Sequence, residues 1–317
     1  MAVIEASRLR VGIVGLGKTW EAWHKPAFVR LGRRIRVVSV YDAVARRAEI
    51  EAAALGCRAE VGLRAMIGRD DLDALYVLAP QWAGLEAVRI AAEAGKPVYL
   101  GVPPTDNAAT LDAIGRTLIH SGSIVYPEFP RRLDPSTSRL RALFAGSIGP
   151  PRAITGSMVI DRSDRRLPPG PLVQSVPGSL AIDPGVSILD WLRYLLGTEA
   201  TRVALEPGSG GERLVVEFAV GVFARVSIRF RGERDEVGSS FEFVGEGGTA
   251  RLDGDGPVVS TIDGPATSPT AEPARPIGDR LNEAFLKAIA GELEPSTPTW
   301  ADARAVADLI ASVSASS

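Results

Sequence analysis

One cysteine, Cys57, and two histidines, His24 and His120, stand among 317 residues. A lone cysteine excludes an internal disulfide and any cysteine-cluster metal site, and is expected to pack as a small apolar residue. Both histidines lie in the first 120 positions, so no mechanism can draw a histidine from the rest of the chain. Excess charge of one sign is lacking too. Lys+Arg 36 against Asp+Glu 38 leaves a net -2, which gives no electrostatic case for nucleic acid. No apolar run approaches the roughly 18 residues that a membrane-spanning helix needs, and the first ten residues hold no signal-peptide core. A cytoplasmic location with no membrane partner is expected. What remains is 45% apolar and 23% charged, an ordinary globular composition with room for two domains.

The most informative segment is Arg10-Val-Gly-Ile-Val-Gly-Leu-Gly-Lys-Thr-Trp20. An apolar run enters Gly15-x-Gly17, and a helical pattern follows. That is the strand–glycine turn–helix context in which backbone amides approach a pyrophosphate. The third small position of a GxGxxG loop is occupied by Trp20. Asp42 closes a second strand (35–41), where an acid accepts hydrogen bonds from ribose hydroxyls and favours NAD over NADP. The other reading of Asp42 is a turn or helix cap, and Arg46 and Arg47 nearby keep NADP open.

From 10 to 125 short β-branched runs alternate with helical stretches: strands at 75–78, 97–100 and from 124, helices at 43–55, 83–94 and 105–120. Gly56 and Gly95 serve as helix stops. The alternation predicts a doubly wound parallel sheet, a Rossmann domain over 1–125. Beyond 126 the texture changes. A strand (152–160), a Pro/Gly/Arg-rich loop (161–178) and a helix (183–196) precede a hairpin over 214–220 and 222–231. In its second strand Ala224, Val226, Ile228 and Phe230 share one face, while Arg225, Ser227, Arg229 and Arg231 share the other. Such alternation marks an antiparallel sheet packed on one side only. Residues 254–276 read as loop, and helices over 278–290 and 300–312 close the chain. The expectation is an α/β Rossmann domain followed by an α+β domain (126–317) with an open, mostly antiparallel sheet.

Seven blocks in order resemble one family: Gly15-Leu-Gly17; His24-Lys-Pro26-Ala27; Tyr41-Asp42; Gly95-Lys-Pro-Val-Tyr; Arg131-Arg-Leu-Asp-Pro135; Gly146-Ser-Ile-Gly149; and Asp183-x-Gly185 through Asp190 and Tyr194 to Gly197. The chain is identified as a member of the glucose–fructose oxidoreductase/inositol dehydrogenase (Gfo/Idh/MocA) family over nearly its whole length. The resemblance implies hydride transfer between NAD or NADP and a sugar, cyclitol or related small polyol, and a homo-oligomer built through the open sheet. It also implies cofactor contacts from Gly15, Gly17, Lys18, Thr19, Trp20 and Asp42, from the Ala79-Pro80 break, and from Val102.

Two departures stand out. Where the family has Glu-Lys-Pro, this chain has Gly101-Val102-Pro103, and the lysine that would contact the nicotinamide ribose is absent. In the Asp-x-Gly-x-His block the histidine position holds Ser187, a poor general base without a partner. Asp183 and Ser187, four residues apart on one helix face, remain as catalytic candidates, against N-capping for Asp183. Tyr126 and Glu128, at the end of a strand, are further acid–base candidates; their other readings are core packing and a pair with Arg131 or Arg132. Asp190 is expected to anchor its helix, His24 to pack or cap, and His120 to suit a helix end. Trp23 and Trp82 are expected to pack, and the 162–166 loop to be a solvated charge run. Three functions stay open: an oxidoreductase with rearranged proton-transfer groups, an inactive nucleotide or sugar sensor, and a structural partner with Trp20 and Val102 in the cofactor space.

Overall fold

The structure is a computed structural model that describes residues 8–78, 81–101, 108–160, 183–232, 235–262, 264–267 and 275–315. The chain divides into two units: residues 1–128 with 275–304, and residues 129–274 with 305–317.

The first unit is built on six parallel strands: β1 (Leu9–Val14), β2 (Ile35–Tyr41), β3 (Arg58–Ala59), β4 (Ala74–Val77), β5 (Val98–Leu100) and β6 (Val125–Pro127), in the order β3-β2-β1-β4-β5-β6. All four residues of β4 and all three of β5 are buried, because helices cover both faces of a parallel sheet. Helices α1 (Lys25–Arg30), α2 (Ala45–Leu55), α3 (Leu63–Ile67), α4 (Gln81–Glu93) and α5 (Ala108–Ser121) connect the strands. Helices α2 and α4 are followed by Gly56 and Gly95 in left-handed conformations (φ 64° and 66°), as the sequence predicts. One face packs Leu75, Val77, Val98 and Leu100 on Val88, Ala91, Ile114 and Leu118 of α4 and α5.

Tyr76, Tyr99 and Tyr126 lie in register across β4, β5 and β6. Their rings stack at 4.9 and 5.6 Å between centroids. Phe285, returning from late in the chain, sets its ring against all three.

The second unit carries a seven-stranded sheet, ordered β13-β12-β11-β7-β10-β9-β8. Its strands are β7 (Ala153–Ile160), β8 (Ala200–Gly208), β9 (Gly211–Phe218), β10 (Phe223–Phe230), β11 (Gly238–Gly245), β12 (Gly248–Asp253) and β13 (Val259–Thr261). Only the β7–β10 pair is parallel. Ala224, Val226 and Ile228 are buried on one face, and Arg225 and Ser227 exposed on the other, as the alternation requires. The buried face meets α6 (Pro135–Ala145) and α7 (Asp183–Leu196) through Leu140, Phe144, Ile188, Trp191 and Leu192. Residues 254–276, read from their composition as loop, contain β13: its three residues pair with β12 even though the sequence around them is rich in Pro, Gly and Ser.

Helix α8 (Ile277–Ile289) belongs to the first unit, and α9 (Trp300–Ala315) runs on from the first unit into the second. The expected loop over 161–178 lies outside the described residues. Among the described residues no helix is long and apolar enough to cross a membrane.

Candidate active site

The glycine turn leaves β1 at Gly15, whose φ of 92° only glycine adopts readily. Its N–H donates to Tyr41 O at 2.8 Å, which ties the turn to the end of β2. The next amide, Leu16 N–H, donates to Asp42 Oδ2 at 2.9 Å, and Val44 N–H donates to Asp42 Oδ1 at 2.9 Å. Arg47 Nη1 lies 3.4 Å from Oδ2. Asp42 therefore clasps the glycine turn and starts the bend toward α2. Two carboxylate oxygens carry roughly four acceptor positions; the backbone amides take two, and the other two, shared with the exposed Arg47 Nη1 at 3.5 and 3.4 Å, open to hydroxyl donors when that side chain swings away. A Cβ on Gly17 would meet nothing within 4 Å, so open space lies over the turn where a pyrophosphate would rest. Lys18 is exposed and Thr19 half-buried beside it. These residues fit the adenosine and pyrophosphate portions of a dinucleotide.

Trp20 is fully buried. Its indole N–H donates to Glu51 Oε1 of α2 at 3.0 Å, and its ring meets Phe28 edge-on at 5.4 Å. A small residue here lets a helix press against the strand. With tryptophan in its place, residues Trp20–His24 form a π-helical turn, with Lys25 N–H bonded to Trp20 O. Gly278 of α8 lies against that turn, since a Cβ there would come within 2.1 Å of Trp23 O.

The π turn delivers His24 into the interior, fully buried. Asn282 Nδ2 donates to Gly278 O at 2.6 Å and lies 3.2 Å from His24 Nδ1. The Gly278 carbonyl fixes which end of the amide faces the imidazole, so Nδ1 accepts and the proton sits on Nε2. Nε2–H points at Glu128 Oε2, 3.2 Å away, and Tyr99 O–H donates to the same oxygen at 2.8 Å. Burial, and then the adjacent Glu128 charge, push the Tyr99 hydroxyl well above its ordinary pKa, which keeps it a donor. Glu128 and Tyr126 are both buried, at the carboxy ends of β5 and β6 where open α/β sheets bind ligands. Neither Tyr99 nor Asn282 stands out in the sequence, and nothing there joins His24 to Glu128. A tyrosine in each of three consecutive strands was the available signal for the ladder; nothing local marks Asn282.

In the second unit Arg132 donates to Asp190 through Nε at 2.8 Å and Nη2 at 2.6 Å, both side chains buried. Asp190 thus anchors α7 to the Pro130–Leu133 turn. Trp191 Nε1–H donates to Thr137 Oγ1 at 2.8 Å, and the Arg131 guanidinium lies over its ring at 5.0 Å. Ser187 is buried one turn before Trp191, and Asp183 opens the helix. His120 is exposed in the last turn of α5, as expected. Ala79, Pro80, Val102 and the 162–166 loop lie outside the described residues, as do the side chains of Asp183 and Trp82. Among the described residues no cluster of His, Cys, Asp and Glu could hold a metal ion.

Residues 9–129 match the model of the oxidoreductase family with an NAD-binding Rossmann fold (GFO_IDH_MocA). Inositol 2-dehydrogenase 4 of Saccharopolyspora erythraea is 30% identical over 312 residues, covering 93% of this chain and 85% of that one. The chain belongs to the Gfo/Idh/MocA oxidoreductase family. A further relative, the scyllo-inositol 2-dehydrogenase (NAD(+)) of Bacillus subtilis, is 28% identical over 62% of this chain and 56% of its own. The fold matches that of UDP-N-acetylglucosamine 3-dehydrogenase from Acidithiobacillus ferrooxidans, with a TM-score of 0.78, 19% identity and 97% of each chain covered.

Proposed function

We propose that this protein is an NAD(P)-linked oxidoreductase that oxidises a secondary alcohol of a small cyclitol or sugar. The observation that carries the reading is Asp42, held by Leu16 N–H and Val44 N–H at the tip of β2 with acceptor capacity for ribose hydroxyls. NAD is the preferred cofactor, because the carboxylate repels a 2′-phosphate, and the likeness to the NAD(+)-linked scyllo-inositol 2-dehydrogenase of Bacillus subtilis supports NAD as well. When bound, the nicotinamide accepts the hydride that leaves the substrate carbon. The chain's own residues bind, orient and receive the proton. Asp183 is the acceptor of the hydroxyl proton in this reading, and Ser187, four residues on, orients the hydroxyl. Tyr126 and Glu128 form the wall behind the nicotinamide, and Ala79, Pro80 and Val102 flank it. The inositol dehydrogenases among the relatives support a polyol substrate.

The polar face of the second sheet is proposed to join copies of the chain, in a cytoplasmic homo-oligomer. Phe223, Ala153 and Val244 form an exposed apolar row across β10, β7 and β11, which supports that role.

The test is a thermal-shift titration with NAD⁺, NADH, NADP⁺ and NADPH, followed by turnover assays on inositols and aldoses. A ligand at 100 times its Kd adds roughly 2.7 kcal/mol of stability, a visible rise in melting temperature. No shift with any of the four dinucleotides would sink the reading.

A further inference from the structure

The carboxylate of Glu128 and the missing side chain of Gly101 share one small pocket. A Cβ on Gly101 would lie 3.5 Å from Glu128 Oε2, 3.4 Å from Val77 O and 2.7 Å from Leu78 Cδ2. The only close contact is thus the end of a leucine, which can rotate aside. Gly101 is not among the glycines with positive φ, so its backbone admits any residue. Neither turn geometry nor crowding by backbone accounts for a glycine here. The end of Leu78 reaches into the space, and the Glu128 carboxylate borders it in ordinary contact. Glu128 N–H donates to Leu100 O at 2.8 Å, and Leu100 pairs with Pro127, so residues 101 and 128 leave β5 and β6 side by side.

We propose that positions 101 and 128 act as one carboxylate-bearing unit, with Glu128 as a positioning residue for the cofactor. Its Oε2 gathers His24 Nε2–H and Tyr99 O–H, and through them ties the π turn, Asn282 of α8 and the ends of β5 and β6 into one rigid edge. That edge holds the Gly101 backbone for the nicotinamide half of the dinucleotide. The pocket requires the carboxylate and is indifferent to the strand that delivers it. Three bonds separate a glutamate Cβ from its carboxylate oxygens, which matches the 3.5 Å between the 101 Cβ position and Glu128 Oε2. The ligand assignment rests on the proposed function; the exchange of carboxylate between strands does not.

Four proteins test this: wild type, E128G, G101E and the double variant G101E/E128G. Each is measured for melting temperature and, well below it, for NADH Kd by fluorescence titration. E128G strands two buried donors and raises Kd about tenfold, the scale of one lost charge-assisted hydrogen bond. G101E crowds two carboxylates into one buried pocket and lowers the melting temperature. The double variant recovers both, with Kd within about twofold of wild type, a coupling that additive effects cannot produce. Glu128→Met fills the volume without an acceptor; it strands the same two donors, melts between wild type and E128G, and still loses NADH affinity. Additive losses in the double variant, or wild-type affinity in E128M, overturn the proposal. If E128G does not fold, recovery of a folded NADH-binding protein in the double variant supports it, and failure to fold there overturns it. If wild type binds no dinucleotide the proposed function fails, and the melting temperatures alone still decide the carboxylate exchange.

Discussion

Asp42→Asn is the substitution that most directly probes the cofactor reading. In the native turn both carboxylate oxygens accept a backbone N–H at 2.9 Å. The amide offers one oxygen and one NH2, so one of the two backbone donors loses its acceptor whichever way the side chain turns. An unsatisfied donor of this kind costs about 1–3 kcal/mol. At about 2–4 °C per kcal/mol for a domain of this size, the melting temperature falls by roughly 2–12 °C. Binding changes in the opposite sense for the two cofactors. NADH loses a charged acceptor for its ribose hydroxyls, worth about 1.5–3 kcal/mol, so its Kd rises ten- to a hundredfold. NADPH gains, because the charge that repels its 2′-phosphate is gone and Arg47, 3.4 Å from Asp42 in the wild type, is released toward the phosphate. The ratio of NADPH to NADH Kd is expected to fall by about two orders of magnitude, measured by titrating intrinsic fluorescence with each cofactor. An unchanged ratio would refute the assignment of Asp42 to the ribose, whatever happens to stability.

Arg132→Met leaves Asp190 buried, with Arg193 Nη1 3.9 Å away, and is expected to cost about 3–5 kcal/mol in urea unfolding, whereas R132M/D190L recovers most of it. Burial pushes the Cys57 thiol up to about 11. At pH 8 its alkylation by iodoacetamide should therefore run about a hundredfold slower than for an ordinary thiol, and quicken as pH approaches that value. The Arg10 guanidinium hydrogen bond holds the Asp73 carboxyl below its ordinary range. A depressed acid stabilises fully above the unfolded pKa of about 4 and loses that contribution as pH falls through the folded value. Wild type should then exceed D73N by no more than about 1 kcal/mol at pH 7, both partners being a third or more exposed, and the two should converge in acid.

The elements that could be read from the chain are those whose signal is local. Period-two alternation located β9 and β10, and the strand–helix alternation from β1 to β6 announced a parallel sheet. Gly56, Gly95 and Gly197 stopped helices where they do because a left-handed residue costs glycine nothing. Strand β13 escaped because three residues amid Pro and Gly carry no period, and only pairing with β12 makes them a strand. The π turn escaped as well: Trp20 shows in the sequence where a small residue is usual, but the π-helical hydrogen bond from Lys25 N–H to Trp20 O does not.

Composition and spacing alone determined that this chain forms a Rossmann unit and a one-sided sheet, since both follow from hydrophobic period and turn residues along a few neighbours. The same local order carried the glycine turn and the acid at the end of β2. Tertiary structure alone decided what His24 and Glu128 do. They lie 104 residues apart, and Asn282 lies 258 residues from His24, so no periodicity can pair them. They meet because strand order sets β5 and β6 side by side and α8 returns onto the π turn. Inside a fully buried space each donor must then find an acceptor or leave a polar group stranded.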